Sequence, residues 1–156
     1  MLLPFTLSPD GQNVLIELIL REFAERFVPN GKLLYLGDTN GNFTYFDDVS
    51  LRKLDVTLEQ HENIPDIILY DEARNWLVLI DAATHHDPIT PMRQAELKKL
   101  FDQSHIGLVF VTAFLNHKDF QEELDRISWE TEVWIAESPS HLIHFDGERF
   151  LGPYYK

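Results

Sequence analysis

The chain has 156 residues, 44% of them apolar, which is long enough to bury a sizeable hydrophobic core. Its 26 acidic residues outnumber its 13 lysines and arginines, and the net charge of −13 disfavours non-specific binding to nucleic acid. The absence of cysteine excludes disulfide bonds and thiolate zinc sites. Because neither a signal peptide nor a membrane span is visible, we expect a cytoplasmic protein, with no membrane partner, built as a single domain over residues 1–156.

The first predicted element is an amphipathic helix over residues 9–27. Ser8 is a typical N-cap, and Pro9 suits the first helical position. Apolar residues recur at spacings of three and four, which predicts one buried face; they are Leu15, Ile16, Ile19, Leu20, Phe23 and Phe27. A short strand is predicted next at Leu33–Leu36, and Phe43–Phe46 is a candidate second strand.

The sharpest pattern is a hairpin over residues 64–82. Two apolar runs, IILY and WLVLI, flank the polar connection DEARN. Asp66 stands at the head of the first run and Asp81 at the tail of the second, so antiparallel pairing brings both acids to one end of the sheet. Two such carboxylates are costly unless a cation compensates them, and oxygen ligands of this kind suit Mg²⁺. The alternative is that each aspartate merely begins or ends a strand by bonding to nearby backbone.

Polar residues and a second helix follow the hairpin. His85 and His86 are adjacent, and because neighbouring side chains point in different directions they are a weak zinc signal. His85 is interpreted as a residue that binds phosphate or orients water, or as a plain loop histidine. A helix is predicted over residues 90–102 with Thr90 as its N-cap, which places Arg93 one turn in and close to Asp81.

The coarse order is one helix, three strands, a helix, a strand, a helix and two strands. The run GLVFVTA is typical of a central buried strand. This order predicts an α/β fold with a mixed β-sheet flanked by helices. Neither GxGxxG nor GxxxxGK[ST] is present, so nucleotide-binding folds of those kinds find no support.

Several segments resemble a known family of enzymes. They are IPDIILYDEARNWLVLIDAATHHDPITP, GLVFVTAF, WETEVWIAESPSHLIHFDGERFLGPY and YLGDTNGN. The first three are similar to the C-terminal catalytic domain of the BsuBI/PstI type II restriction endonucleases, and the last resembles the family's GDT motif. The resemblance covers nearly the whole chain and implies the restriction-endonuclease-like core of the PD-(D/E)xK nuclease class.

The resemblance also implies a site and a reaction. Pro65-Asp66 resembles the PD element and Asp81 the acid of the second element. The implied reaction is Mg²⁺-dependent hydrolysis of double-stranded DNA, with Mn²⁺ able to substitute, by a homodimer that cuts both strands. The implied metal ligands are Asp66, Asp81, the backbone carbonyl of Ala82, and Asp38 of the GDT motif. The implied catalytic residues are Asp66 and Asp81, and His85 and Arg93 are predicted as weaker catalytic members that remain nearby to stabilise developing negative charge.

The chain departs from the family pattern at basic positions. The class expects a lysine two residues after Asp81, where Ala83 stands, and the family run PKRR is replaced by PMRQ. Full-length members carry an N-terminal half for target recognition that we expect this chain to lack, so a separate recognition subunit or domain is implied. Two hypotheses follow: a nuclease of restriction-modification type, favoured because both acids are retained, or a degenerate nuclease fold that serves as an interaction module.

Overall fold

The computed structural model describes residues 11–37, 43–58, 63–84 and 87–148. The helices are α1 (Gly11–Leu18), α2 (Ala24–Phe27), α3 (Asp48–Lys53), α4 (Pro91–Leu100) and α5 (His117–Glu123). The strands are β1 (Lys32–Gly37), β2 (Phe43–Phe46), β3 (Ile67–Asp71), β4 (Trp76–Ala82), β5 (Gly107–Phe114), β6 (Thr131–Ile135) and β7 (Leu142–Phe145). A π-helical stretch, Ile19–Phe23, joins α1 to α2, and a 3₁₀ turn, Leu124–Arg126, follows α5.

The strands form one mixed sheet in the order β2-β1-β3-β4-β5-β6-β7. The central strands β4, β5 and β6 run parallel to one another, and the flanking pairs are antiparallel. Their continuous apolar sequences fit this central position, because parallel strands are covered by helices on both faces. The carboxyl ends of the three parallel strands therefore lie at the same edge of the sheet.

Helices cover both faces of the sheet. On one face, α1, the π-helical stretch and α2 bury a cluster centred on Ile16, Leu20, Phe23, Ile80 and Trp134. On the other face, α3 and α4 bury Leu51, Leu97 and Phe101 against β3, β4 and β5, and α5 packs Phe120 on a neighbouring cluster. The predicted α/β fold with a mixed sheet flanked by helices is confirmed.

The structure differs from the sequence expectations in three places. The helix predicted over 90–102 runs from Pro91 to Leu100, with Thr90 outside it as the N-cap. The start predicted for the first helix, residue 9, lies outside the described residues. In the 64–82 hairpin, Asp71 belongs to β3 and pairs with Trp76, so the connection is four residues rather than five. Four strands rather than three precede α4, because β2 pairs with β1.

None of the helices within the four described ranges is long and apolar enough to span a lipid bilayer.

Candidate active site at the carboxyl end of β4

The hairpin of β3 and β4 places Asp66 beside Asp81. The strands are paired with Ile67 opposite Ile80, so the next position outward sets residue 66 against residue 81. The Asp66 backbone N–H points to Oδ1 of Asp81 at 3.4 Å, and the Asp66 carbonyl accepts a 2.9 Å hydrogen bond from Gly37 of β1. Both acids therefore lie at the edge of the sheet where β4 ends.

Asp66 is a carboxyl group with an unusual protonation equilibrium. Its Oδ2 accepts hydrogen bonds from the Ala82 backbone N–H at 2.8 Å and from Nε2 of Gln12 at 3.3 Å. Burial, together with the charge of Asp81, raises the Asp66 pKa from 3.8 to about 7, although these hydrogen bonds and the charge of Arg93 act in the opposite direction. The second negative charge at this edge is thus only partly compensated by the protein.

Asp81 is held by Arg93 of α4. Nε of Arg93 lies 2.7 Å from Oδ2 of Asp81, and its NH2 nitrogen lies 3.2 Å from Oδ1. The guanidinium therefore binds the carboxylate in a bidentate manner. The same guanidinium donates to the backbone carbonyls of Asn63 at 2.7 Å and Ile64 at 3.4 Å. Arg93 therefore ties the chain that leads into β3 to the end of β4.

Arg93 reaches Asp81 because the start of α4 is fixed on the sheet. The Ile89 backbone N–H donates to Oγ1 of Thr112 at 3.0 Å, and Thr112 is the parallel-strand neighbour of Asp81 on β5. One residue later, Oγ1 of Thr90 accepts the Arg93 backbone N–H at 3.2 Å as the helix N-cap. These two bonds set both the position and the direction of the first turn of α4.

Gln12 is a member of the site that the sequence did not predict. Its side chain, only 2% exposed, extends from α1, and Nε2 donates to both Oδ2 of Asp66 at 3.3 Å and the carbonyl oxygen of Ala82 at 3.1 Å. Oε1 of Gln12 is buried and has no hydrogen-bond partner. A signal existed, because residue 12 lies three and four positions before Leu15 and Ile16 and so belongs to the buried stripe.

The position at which the resemblance to the PD-(D/E)xK class implies a lysine is a packed alanine. Ala83 is 6% exposed, and it lies in the cluster that contains Phe114 and Ile127. Its backbone N–H donates to the Ala113 carbonyl at 2.8 Å, so the backbone continues the β4–β5 pairing past the end of the strand. The cation that contacts Asp81 comes from α4 instead.

The remaining predicted site residues divide into two groups. Ala82 is fully buried next to Asp81, with its N–H bonded to Asp66 and its carbonyl bonded to Gln12. Asp38 and His85 lie outside the described residues, and their placement in the site stays a prediction.

The oxygen atoms at this edge are of the chemical type that a hard divalent cation such as Mg²⁺ takes as ligands. Asp66, Asp81 and Arg93 together leave one formal negative charge, and a carboxylate retains lone pairs even when an arginine binds it. No cluster of three or more histidine, cysteine or acidic residues suited to a metal occurs in the part of the chain that is described. Among the described residues, an ion here would take carbonyl or amide oxygens besides the two carboxylates, and these are hard oxygen ligands of the kind that Mg²⁺ prefers.

The fold is that of the restriction endonucleases. It is similar to the structure of SdaI restriction endonuclease, with a TM-score of 0.89 and 42% sequence identity, over 97% of this chain and 48% of that chain. Residues 3–148 match the model of the BsuBI/PstI restriction endonuclease domain, and the chain belongs to that family.

Two curated relatives agree with this membership. The type II restriction enzyme BsuBI of Bacillus subtilis is 49% identical over 148 residues, 95% of this chain and 47% of that protein. The type II restriction enzyme AplI of Arthrospira platensis is 32% identical over 153 residues, 94% of this chain and 47% of that protein. The chain thus spans about half the length of the curated relatives it matches.

Proposed function

We propose that this chain is the catalytic half of a restriction-type endodeoxyribonuclease that hydrolyses phosphodiester bonds of double-stranded DNA with Mg²⁺, for which Mn²⁺ can substitute. The observation that carries the proposal is the meeting of Asp66 and Asp81 at one sheet edge, where Arg93 is the one cationic side chain of the described residues that contacts them. A buried pair of acids lowers stability because the two charges repel each other, and a bound cation would offset that repulsion. Such pairs are characteristic of functional sites. Family membership and the likeness to SdaI support the same conclusion.

The roles of the residues follow from their atoms. Asp66, Asp81 and the Ala82 carbonyl would hold the ion, with Asp38 as a further ligand. When bound, the ion supplies a Lewis acid for the phosphoryl oxygens and lowers the pKa of the attacking water. Arg93 cannot act as a general base, because a guanidinium does not deprotonate in proteins. Its part is to hold the Asp81 carboxylate in place and to stabilise negative charge on the phosphate, a task shared with His85.

The chain matches only about half the length of its relatives, and this suggests which parts a working enzyme would need besides it. We infer that the chain corresponds to the C-terminal half of such enzymes, and that a separate domain or subunit supplies recognition of the DNA sequence. A homodimer is proposed because cutting both strands of a duplex takes two active sites. The setting is a cytoplasmic restriction-modification system.

A second candidate function is a degenerate nuclease fold that acts as an interaction module. Two observations favour it. Arg93 forms two hydrogen bonds with the Asp81 carboxylate and so neutralises it without an ion, and Ala83 occupies the position where a lysine is expected. We prefer the nuclease because, within the described residues, Asp66 has no arginine or lysine bound to its carboxyl group as Asp81 does. Its raised pKa reflects a charge that remains poorly compensated.

The test is cleavage of a supercoiled plasmid with no ion, with Mg²⁺ and with Mn²⁺. The wild type is compared with Asp66→Ala and Asp81→Ala, and with Glu122→Gln as a control that removes one exposed acid from α5. We expect metal-dependent nicking or cutting by the wild type and the control, and none by the two aspartate variants.

Two other results decide between the candidates. Absence of cleavage together with absence of metal binding by calorimetry supports the interaction module. Metal binding without cleavage indicates that a recognition partner is missing, and the assay is then repeated with the N-terminal half of a relative such as BsuBI supplied in trans.

A further inference from the structure

The side-chain amide of Gln12 joins two of the oxygen atoms to which the proposed function assigns the ion. Nε2 lies 3.3 Å from Oδ2 of Asp66 and 3.1 Å from the carbonyl oxygen of Ala82. Both neighbours are acceptors, so the NH₂ group rather than the oxygen must face them. In this arrangement the NH₂ group lies where a cation could bind, because its hydrogens place partial positive charge between two oxygen atoms.

The other end of the amide is left unsatisfied. Oε1 is buried without a hydrogen-bond partner, and the residue is only 2% exposed. A buried acceptor without a partner is uncommon in folded proteins, and it calls for an explanation such as a ligand or a catalytic role. Gln12 therefore combines a cation-like contact with a spare oxygen ligand.

We infer that Gln12 is an ion-responsive member of the metal site. Without an ion its NH₂ group positions Asp66 and the Ala82 carbonyl. With an ion at those oxygens the amide would rotate, and Oε1 would supply a further oxygen ligand. The rotation follows from charge, because a divalent cation repels the NH₂ group and attracts the carbonyl oxygen, which has no bond to lose.

This inference rests on the proposed metal-dependent function, and it adds a ligand from α1 to those proposed on the hairpin and at Asp38. It also accounts for an amide on the buried face of α1, where the residues three and four positions later, Leu15 and Ile16, are apolar. A purely structural amide at this place would leave Oε1 unexplained.

The test measures Mn²⁺ binding by electron paramagnetic resonance on the full chain, with folding verified by circular dichroism. The variants are Gln12→Met, which keeps the size of the side chain and removes both polar ends, and Gln12→Glu, which supplies oxygens only. Gln94→Met is the matched control, since Gln94 is a buried helical glutamine whose Oε1 accepts from Ser128 instead. Asp66→Asn reports whether the ion occupies this site.

We expect Gln12→Met to bind Mn²⁺ roughly 10- to 100-fold more weakly than the wild type, as is typical when a group supporting a metal site is lost. Gln12→Glu should melt at a lower temperature without ion, because a third carboxylate joins Asp66 and Asp81, and should gain more in melting temperature from Mn²⁺ than the wild type. Gln94→Met should bind Mn²⁺ like the wild type.

The opposing outcomes are distinct. Unchanged Mn²⁺ affinity in Gln12→Met overturns the role of Gln12 and leaves the proposed function standing. Wild-type affinity retained in Asp66→Asn, or no binding by the wild type at millimolar Mn²⁺, overturns both. Reduced melting temperature in both Gln12 variants without any difference in Mn²⁺ affinity marks Gln12 as structural only, and this also overturns the inference.

Discussion

The Asp66 carboxyl group is buried beside a second carboxylate, which makes its ionised form unfavourable. Burial and the neighbouring Asp81 raise its pKa to about 7, well above the 3.8 expected in the unfolded chain. Between these two values the folded protein binds more protons than the unfolded chain, so stability falls as pH rises through this window. The contribution of Asp66 is complete below about pH 3.8 and is lost above about pH 7.

Asp66→Asn should therefore raise the free energy of unfolding without metal. Asparagine keeps an oxygen to accept the Ala82 N–H and carries no charge. At pH 8 we expect a gain in the free energy of unfolding of up to about 4 kcal/mol, which is the upper bound if the whole pKa difference contributes at about 1.36 kcal/mol per pKa unit. This gain should become smaller as the pH falls toward 4. Urea denaturation at pH 8 and pH 5 measures it, with the exposed Asp102→Asn as the control. A gain that does not depend on pH contradicts the assignment.

Arg93 and Asp81 form a partly buried ion pair, with side chains 18% and 10% exposed. Arg93→Met removes the guanidinium and leaves two carboxylates facing each other, so we expect a loss of roughly 3 kcal/mol in the free energy of unfolding at pH 7.5. The double variant Asp81→Asn/Arg93→Met should recover part of that loss, because the unpaired charge is gone.

The comparison for Arg93 is an exposed ion pair between α2 and the π-helical stretch that precedes it. Arg26 lies against Glu22 with side chains 40% and 43% exposed. Arg26→Met should cost less than about 1 kcal/mol in the same urea titration, as surface ion pairs do. Equal losses at the two arginines would mean that Arg93 contributes no more than a surface charge.

At the scale of elements, the N-terminus of α4 is the part that delivers Arg93 to the site. Thr90→Ala removes the side-chain cap on the Arg93 N–H, and we expect a loss of about 1 kcal/mol in stability. We also expect reduced plasmid cleavage, since fraying of the first turn loosens the Arg93–Asp81 contact.

The control for this helix is another helix cap. Asp47→Ala removes the cap of α3, whose side chain accepts the Ser50 N–H at 3.0 Å. It should cost a similar amount in urea denaturation while leaving cleavage closer to the wild-type rate. If the two variants reduce cleavage equally at matched stability, the cap of α4 has no special role in the site.

Local periodicity was enough to predict the elements that meet at the site. The apolar runs of β3 and β4 and the Thr90-Pro91 start of α4 are signals within a few residues of sequence, and they placed Asp66, Asp81 and Arg93 near one another. Asp71 was assigned to the turn because it is polar, yet it extends β3, since backbone pairing does not depend on the side chain.

Contacts between distant segments were beyond such reasoning. Gln12 reaches Asp66 and Ala82 across 54 and 70 positions, and nothing in the period of α1 reveals what its buried face meets. The bonds of Arg93 to the carbonyls of Asn63 and Ile64 depend on the path of the backbone before β3, which has no periodic pattern. A polar residue on the buried face of an amphipathic helix, such as Gln12, therefore indicates a contact whose partner the sequence does not reveal.

At the scale of the whole molecule, negative charge dominates. The formal charge is −13, and each arginine in the described part of the chain is in an ion pair with a carboxylate. Guanidinium groups that are already paired contribute little to binding phosphates, because a new contact must replace an existing one. DNA binding by this chain should therefore depend on a divalent ion at Asp66 and Asp81.

Fluorescence anisotropy with a 30-base-pair duplex tests this dependence. Without divalent ion we expect a Kd weaker than about 10 µM at 150 mM salt, and a plot of log K against log salt with a slope no steeper than about −3, since few phosphates are neutralised. Ca²⁺, which takes the same oxygen ligands, should tighten binding by roughly tenfold or more.

Asp81→Asn should abolish that gain, while the exposed Glu122→Gln, which removes the same charge from α5, should retain it. Tight, steeply salt-dependent binding without any divalent ion would instead place a basic surface on this chain, and the ion would then serve hydrolysis alone.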